Sequence, residues 1–399
     1  MEEKRKPPAT AVPRNILALG FVSFFTDISS EMVYSLLPTF ILGLPGSGRA
    51  ILGTIEGLAE ALSYDMRAVS GIFSDKFRKR KALILVGYSL SNAVKPLFAF
   101  AQTAFDALAI RVTDRVGKGV RTAPRDALLS ESVSEERRGA AFGLHRTLDQ
   151  TGAIIGPLIA SGAMYLLGLT PRDVFWISFI PGLAALLVLL FLVKERIGKP
   201  PGEFKLLREV RTVLRGSFSF LLVVVGLFSL GAFSYWPVIA NVGDAGVDVR
   251  VVPTFYAMVN LTHTLVAIPS GVLSDRIGKE SVLVMGYGAF FATALLLLLW
   301  PANYFFAVMI ALIFGIYEGI VNTVARALVP KYSESSLRGT AYGLYYLVVG
   351  QCALISNLVV GILWEHYGSS TAALYSLALS SVGIMGMLLF IFTQRRRNS

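Results

Sequence analysis

Cysteine is nearly absent from this chain of 399 residues: Cys352 stands alone, so no disulfide framework can form within it. Histidine is scarce as well. His145, His263 and His366 are scattered, and their spacing offers no zinc site. Charged residues make up 16% of the chain, against roughly 25% in an ordinary soluble domain. No Gly-x-x-x-x-Gly-Lys-Ser/Thr phosphate loop occurs, which argues against an ATP-driven pump; Gly117-Lys118-Gly119 is a fragment without the earlier glycine. No nucleophile–base pair or metal constellation stands out, so neither an enzyme nor a cofactor is expected. Lys4, Arg5, Lys6 and Arg14 make the start basic. No small-residue cleavage site follows a short apolar core, and a cleaved signal peptide is not expected.

What the chain has in excess is apolar surface: 54% hydrophobic residues and a mean hydropathy of +0.62. That surplus needs an apolar solvent. Runs of about 20 apolar residues cross a bilayer core of about 30 Å. The pattern predicts twelve such helices, over 15–42, 50–74, 81–102, 104–128, 137–166, 172–194, 215–240, 250–274, 280–300, 303–329, 338–366 and 370–393. Between the sixth and seventh, a charged connector contains Pro200-Pro201 and a short amphipathic helix from Glu203 on. The net charge is +11. In a soluble protein that would suggest nucleic acid. Here it fits basic loops on the cytoplasmic face, and no nucleic-acid partner is expected. The basic segments 76–81, 134–138, 276–280 and 395–397 fall on the same side as the connector. Both termini are therefore expected in the cytoplasm, with the chain crossing the plasma or inner membrane many times.

An internal repeat organises the chain. The segment GIFSDKFRKR from Gly71 returns as GVLSDRIGKE from Gly271, an offset of 200; Arg138, Gly139 and Gly143 return as Arg338, Gly339 and Gly343, and Gly119 as Gly319. The expected architecture is an all-α membrane protein with two pseudo-symmetric six-helix bundles, 1–194 and 215–399, joined by a cytoplasmic linker, 195–214. Internal repeats with a small-molecule site between the halves, near the bilayer midplane, mark many secondary transporters.

The repeated loop, cleanest in Gly271, Asp275, Arg276, Gly278 and Lys279, resembles the signature loop of the major facilitator superfamily, and the likeness extends over the whole chain. The first copy departs from it, with Arg78 where that family has glycine. The resemblance implies a twelve-helix transporter that alternates access by rocking its halves, with Gly71, Asp75, Asp126, Gly271, Asp275, Arg276 and Gly278 in the conformational gate. It implies that Asp75 faces the start of helix 11 near Arg338 and Gly339. Asp275 would face the start of helix 5 near Arg138 and Gly139, and Asp126 would pair with the basic loop after Asp75. Gly71 itself should let two helices approach closely. Gly152, Gly156 and Pro157 resemble the Gly-x-x-x-Gly-Pro element of proton-driven antiporters in the family. Arg111 resembles the arginine of its helix-4 motif, with Asp114 in place of a glutamine and Arg115 as the alternative equivalent.

Charges inside the spans are the remaining signal. An ionised side chain near the bilayer centre costs about 3 kcal/mol on insertion scales. The first half nonetheless carries Asp27, Glu31, Glu56, Glu60, Arg111, Asp114, Arg115, Arg146 and Asp149. Asp27 and Glu31, like Glu56 and Glu60, are four apart and share a helical face. The second half has Asn260 where the first has Glu60. With His263, Tyr317, Glu318, Asn322, Tyr345, Tyr346 and Gln351, it reads as a substrate wall. Two bland readings compete: a self-neutralising network of Asp27 and Glu31 with Arg111, Arg115 or Arg146, and solvated charges at the cytoplasmic end of helix 4. The functional reading is that a carboxylate in low dielectric takes up a proton more readily than in water and can exchange it for a cation. The expectation is a monomeric secondary transporter in the lipid bilayer, driven by the proton gradient, that exports a small hydrophobic or cationic molecule. Symport of an organic anion, export of a metal cation such as iron, and a non-transporting membrane sensor or scaffold stay open as alternatives.

Overall fold

A computed structural model describes residues 14–77, 79–134, 138–195, 206–214, 216–299, 303–334 and 337–398; among these it leaves out the side chains of 72, 75–77, 138, 206–209, 397 and 398. Within a bilayer, backbone N–H and C=O groups must pair inside their own segment, and every regular element among the described residues is helical. Twelve long helical units follow one another. They are α1 (Arg14–Leu42), α2 (Arg49–Phe77), α3 (Arg80–Phe100), α4 (Ala104–Glu131), α5 (Arg138–Leu167) and α6 (Pro171–Leu192), then α7 (Ser217–Asp244), α8 (Val252–Ile277), α9 (Lys279–Leu299), α10 (Tyr304–Tyr332), α11 (Arg338–Tyr367) and α12 (Ser369–Asn398). A short helix, Leu206–Val213, lies in the connector. Ten of the twelve are apolar enough to cross a membrane by composition alone. The other two, α2 with 29 residues and α4 with 28, have the length but carry more charge.

Helix ends follow local chemistry. Thr103 and Asp106 close a reciprocal cap at the start of α4, and Thr170 with Asp173 does the same for α6. Gly278 ends α8 at a φ of 96°, a conformation that favours glycine. Prolines mark the internal breaks. The α1 unit opens at Ser35–Leu36 just before Pro38, α3 tightens to a 3-10 turn over Lys95–Phe100 at Pro96, and α7 unwinds over 232–235 ahead of Pro237. The break in α7 is held from α11, where Asn357 Oδ1 accepts from Ser234 N (3.2 Å), Ser234 Oγ (2.9 Å) and Trp236 Nε1 (2.8 Å).

The repeat is visible in the packing. A Cβ on Gly119 would sit 2.7 Å from the carbonyl oxygen of Ser63, and one on Gly319 would sit 2.6 Å from that of His263, the same pair 200 positions on. Glycine is what lets α4 close on α2 and α10 close on α8. The close approach expected at Gly71 is not there: a Cβ would lie at an ordinary 3.5 Å from Ala123 Cβ, and Gly271 mirrors it at 3.6 Å from Thr323. The helices diverge slightly toward that end, and the tight crossing sits deeper.

The halves meet along α2 with α11 and α5 with α8. At the end opposite the basic loops they are sealed. Arg49 pairs with Asp244 at 2.5 Å, Glu365 Oε2 accepts from Ala50 N at 2.8 Å, and Ser161 Oγ donates to the Arg250 carbonyl at 2.6 Å. Midway, the rings of Tyr64 and Tyr346 stack at 5.4 Å, and Gln351 reaches Asp65 at 3.2 Å. Toward the basic end, Gly139, Gly143, Gly339 and Gly343 have nothing within 4 Å of where a Cβ would lie. Asp275, expected near Arg138 and Gly139, is exposed and pairs with Lys279 of its own loop at 3.1 Å. The side chains of Asp75 and Arg138 lie outside the described residues, as do those of Lys76 and Arg78. Asp126 pairs with its neighbour Arg125 at 2.9 Å.

Two kinds of glycine should therefore behave differently. Gly119→Ala and Gly319→Ala are each expected to cost about 1–3 kcal/mol of stability through overpacking, read as a lowered melting temperature of the purified protein. Gly143→Ala and Gly343→Ala should leave it unchanged.

Candidate substrate and coupling site

Close contact between α1 and α5 builds the first part of the site. A Cβ at Gly152 would lie 2.4 Å from the Phe24 carbonyl oxygen, and one at Gly156 would lie 2.7 Å from that of Ile28. The two backbones thus run almost in touch, which sets Asp149 of α5 against Asp27 of α1. Arg146 Nη1 pairs with Asp149 Oδ2 at 2.7 Å. On the inner face, His145 Nε2 lies 2.9 Å from Ser23 Oγ, which also meets the Tyr88 hydroxyl at 3.2 Å.

Nearer the sealed end, α4 contributes a denser cluster. Arg111 has no exposed surface. Its Nη2 donates to Glu56 Oε2 at 2.7 Å, and Nη1 lies 3.7 Å from Asp114 Oδ2. The ring of Tyr34 lies under both Arg111, at 4.0 Å, and Arg115, at 4.8 Å, an arrangement that suits a desolvated cation. Asp114 accepts from the Tyr34 hydroxyl and from Ser91 Oγ at 2.6 Å. Lys95, also without exposed surface, donates from Nζ to Ser30 Oγ at 3.0 Å. Glu56, Asp114 and Asp149 are thus partnered. No ion pair among the described residues involves Asp27, Glu31 or Glu60, although Lys118 of α4 faces all three.

Beside this core, mostly within the second half, lies a cavity of about 170 Å³. Glu60 and Tyr64 of α2 form one edge. Phe228, Phe233, Tyr287, Tyr317, Tyr345 and Tyr346 supply aromatic walls, and Glu318, Asn322 and Arg326 supply the polar floor. Asn322 Nδ2 donates to Glu318 Oε2 at 2.6 Å, and no ion pair among the described residues reaches Glu318. Of the residues read from the sequence as substrate wall, Tyr317, Glu318, Asn322, Tyr345 and Tyr346 line this cavity. The other three sit elsewhere. Asn260 donates across the interface to the Ala153 carbonyl at 3.1 Å, Gln351 is engaged with Asp65, and the His263 backbone receives Gly319. Among the described residues no group of three or more His, Cys, Asp or Glu side chains is arranged to hold a metal ion. Sequence reading missed Lys95, Tyr34 and Tyr235, the last at the unwound turn of α7, where its hydroxyl accepts from Arg111 Nη2 at 3.2 Å and donates to Glu56 Oε1 at 3.4 Å. Lys95, a lone cation beside a proline in an apolar run, was the one with a readable signal.

The chain matches the family profile described as Major Facilitator Superfamily over residues 19–355. It is 32% identical over 379 residues to an uncharacterised MFS-type transporter of Methanocaldococcus jannaschii, covering 92% of this chain and 94% of that one. It is 26% identical over 333 residues to the multidrug resistance protein MdtG of Escherichia coli, covering 79% of this chain and 78% of that one. In fold it is similar to the nucleoside transporter NupG, with a TM-score of 0.79, 14% identity and coverage of 94% and 98% of the two chains. It is equally similar to a POT peptide transporter, with a TM-score of 0.80, 14% identity and coverage of 97% and 96%. With the profile covering most of its length, the chain belongs to the major facilitator superfamily and is a multi-pass membrane transporter, not an enzyme.

Proposed function

We propose that this transporter exchanges protons for a small hydrophobic or cationic molecule and exports it. One observation carries the reading: carboxylates that make no ion pair among the described residues, buried Glu31 and the partly buried Asp27, Glu60 and Glu318, stand in and beside an aromatic cavity. Asp27 and Glu31 lie in the charged core, Glu60 and Glu318 on the cavity itself. A buried carboxylate without a cation lowers its cost by holding a proton or by accepting a cationic guest. Either occupant satisfies the site, and competition between them couples the two fluxes. The aromatic walls suit a flat or lipophilic cation. Multidrug resistance relatives of the MdtG type are in keeping with export of such molecules. Organic-anion symport is less well supported, because Arg111 and Arg146 are already engaged by Glu56 and Asp149.

In this reading the basic loops are cytoplasmic, the open end faces the cytoplasm, and the sealed end faces outward. The energy source is the proton gradient, and the Asp275 loop acts when the cytoplasmic ends close.

Two results are expected. In liposomes with an internal pH dye and an imposed proton gradient, a panel of lipophilic cations should provoke substrate-dependent proton movement. It should vanish in Asp27→Asn and in Glu31→Gln; full coupling in both variants and in Glu60→Gln would sink the proposal. Orientation is tested by thiol labelling in a Cys352→Ser background. A cysteine at position 143 or 343 should react with an impermeant maleimide in inside-out vesicles only, and one at the exposed Val249 in right-side-out cells only. The reverse pattern refutes the topology.

A further inference from the structure

One wall of the cavity carries two charges of opposite sign that no other side chain among the described residues neutralises. Glu318 and Arg326 stand eight positions apart on α10, a rise of about 12 Å along the helix, and both line the cavity. Glu318 is partly buried. Asn322 Nδ2 donates to its Oε2 at 2.6 Å, and among the described residues it pairs with no cation. Arg326 is exposed where it lines the cavity, and among the described residues its guanidinium makes neither an ion pair nor a hydrogen bond. The first half differs at the same offset: Asp126 is paired with its neighbour Arg125 at 2.9 Å, whereas position 325, beside Arg326, is alanine. The α2 edge of the cavity differs too. Arg67 already lies over the rings of Tyr64 and Tyr346, at 5.2 and 4.9 Å, so a cation occupies the aromatic faces one turn from Glu60. On the α10 wall a positive end and a negative end would each find an unused partner, with the rings of Tyr287, Tyr317 and Tyr345 lining the same space.

We propose that the cavity takes a zwitterion, a small aromatic molecule whose amine end is held by Glu318 and whose acid end is held by Arg326. The inference rests on the proton-exchange reading above and names the substrate class of that same site. The size agrees. A cavity of about 150 Å³ takes up benzene, so one of about 170 Å³ has room for a single ring with its ends toward the two charges. The two residues then do different work. Glu318 attracts any cation, as Glu60 does from the facing helix. Arg326 selects among cations for those that carry an acid as well. A guanidinium holds a carboxylate through two parallel hydrogen bonds, each about twice as strong as a neutral one. A simple cation leaves that capacity unused. A simple anion uses it, but brings a like charge into a cavity already lined by Glu60 and Glu318. The order of preference is therefore zwitterion, then cation, then anion.

The test is titration calorimetry on the purified full chain in detergent at neutral pH, with three probes built on one ring: 4-(aminomethyl)benzoate, the zwitterion; 4-methylbenzylamine, the cation; and 4-methylbenzoate, the anion. The zwitterion should bind about tenfold more tightly than the cation, the scale of one charge-assisted pair, and the anion should bind weakest. Arg326→Gln should collapse that preference, so that the two amines bind within about twofold of each other. Arg326→Lys, which keeps the charge and loses the paired geometry, should retain part of it. Glu318→Gln should weaken both amines together. The readout is a ratio of affinities within one protein, which a general loss of fold would not shift, and the lysine variant decides the matter where the glutamine variant fails to fold. Equal affinity of the two amines for the unaltered protein, a preference that survives both Arg326 variants, or no saturable binding of any probe overturns the inference. Repeating the titration in buffers of different ionisation heat counts the protons released. Proton release without a zwitterion preference overturns this inference alone; a zwitterion preference without proton release overturns the exchange reading on which it rests.

Discussion

A guanidinium with no exposed surface governs the arrangement of the first half. Arg111 cannot be left unpaired, since removing one partner of a buried ion pair costs about 3–5 kcal/mol. Glu56 answers its charge from α2, the Tyr34 ring covers its face from α1, and Asp114 lies a turn along α4. These demands fix α1, α2 and α4 relative to one another. Tyr235 extends the demand into the other half, because opening the outward end withdraws a hydrogen-bonding partner from a charge that has few.

The duplicated scaffold makes the asymmetry sharper. Helix crossings are shared: Gly119 and Gly319 meet the equivalent carbonyls of Ser63 and His263. Chemistry is not shared. At the same offset, Glu56 corresponds to Tyr256, Glu60 to Asn260, Arg111 to Ala311, Asp114 to Phe314 and Lys118 to Glu318. One half became a charged core and the other an aromatic cavity, and neither the backbone nor its glycine contacts required that division. The Glu56–Tyr256 correspondence is the most telling. The same position supplies a carboxylate to the buried pair in one half and, in the other, a ring that packs edge-on against Tyr235.

Much of this was legible before any coordinates. Apolar length located all twelve helices to within a few residues, the charge-rich α2 and α4 among them. Tyr317, Glu318, Tyr345 and Tyr346 were readable as cavity residues because polar groups in apolar helices have to point inward. What stayed hidden depends on which helix lies opposite. Helical period gives Asn260 and Gln351 an inward face, but only the assembled halves show that they bind Ala153 and Asp65 across the interface instead of lining the cavity. Tyr235 carried no signal of its own for the same reason: its partners, Arg111 and Glu56, lie in the other half. The pairing of Asp275 with Lys279 of its own loop had no sequence signal either, since the resemblance pointed to the other half.

The central claim is that a proton and a cationic guest compete for the same carboxylates within the spans, Asp27 and Glu31. Proton release on binding tests it without a membrane gradient: tetraphenylphosphonium is titrated into the purified protein in weakly buffered detergent solution, and the pH change is recorded. The account predicts proton release that saturates with the bound cation and is lost in Asp27→Asn and in Glu31→Gln. Saturable binding of the cation to the unaltered protein with no proton released would contradict it.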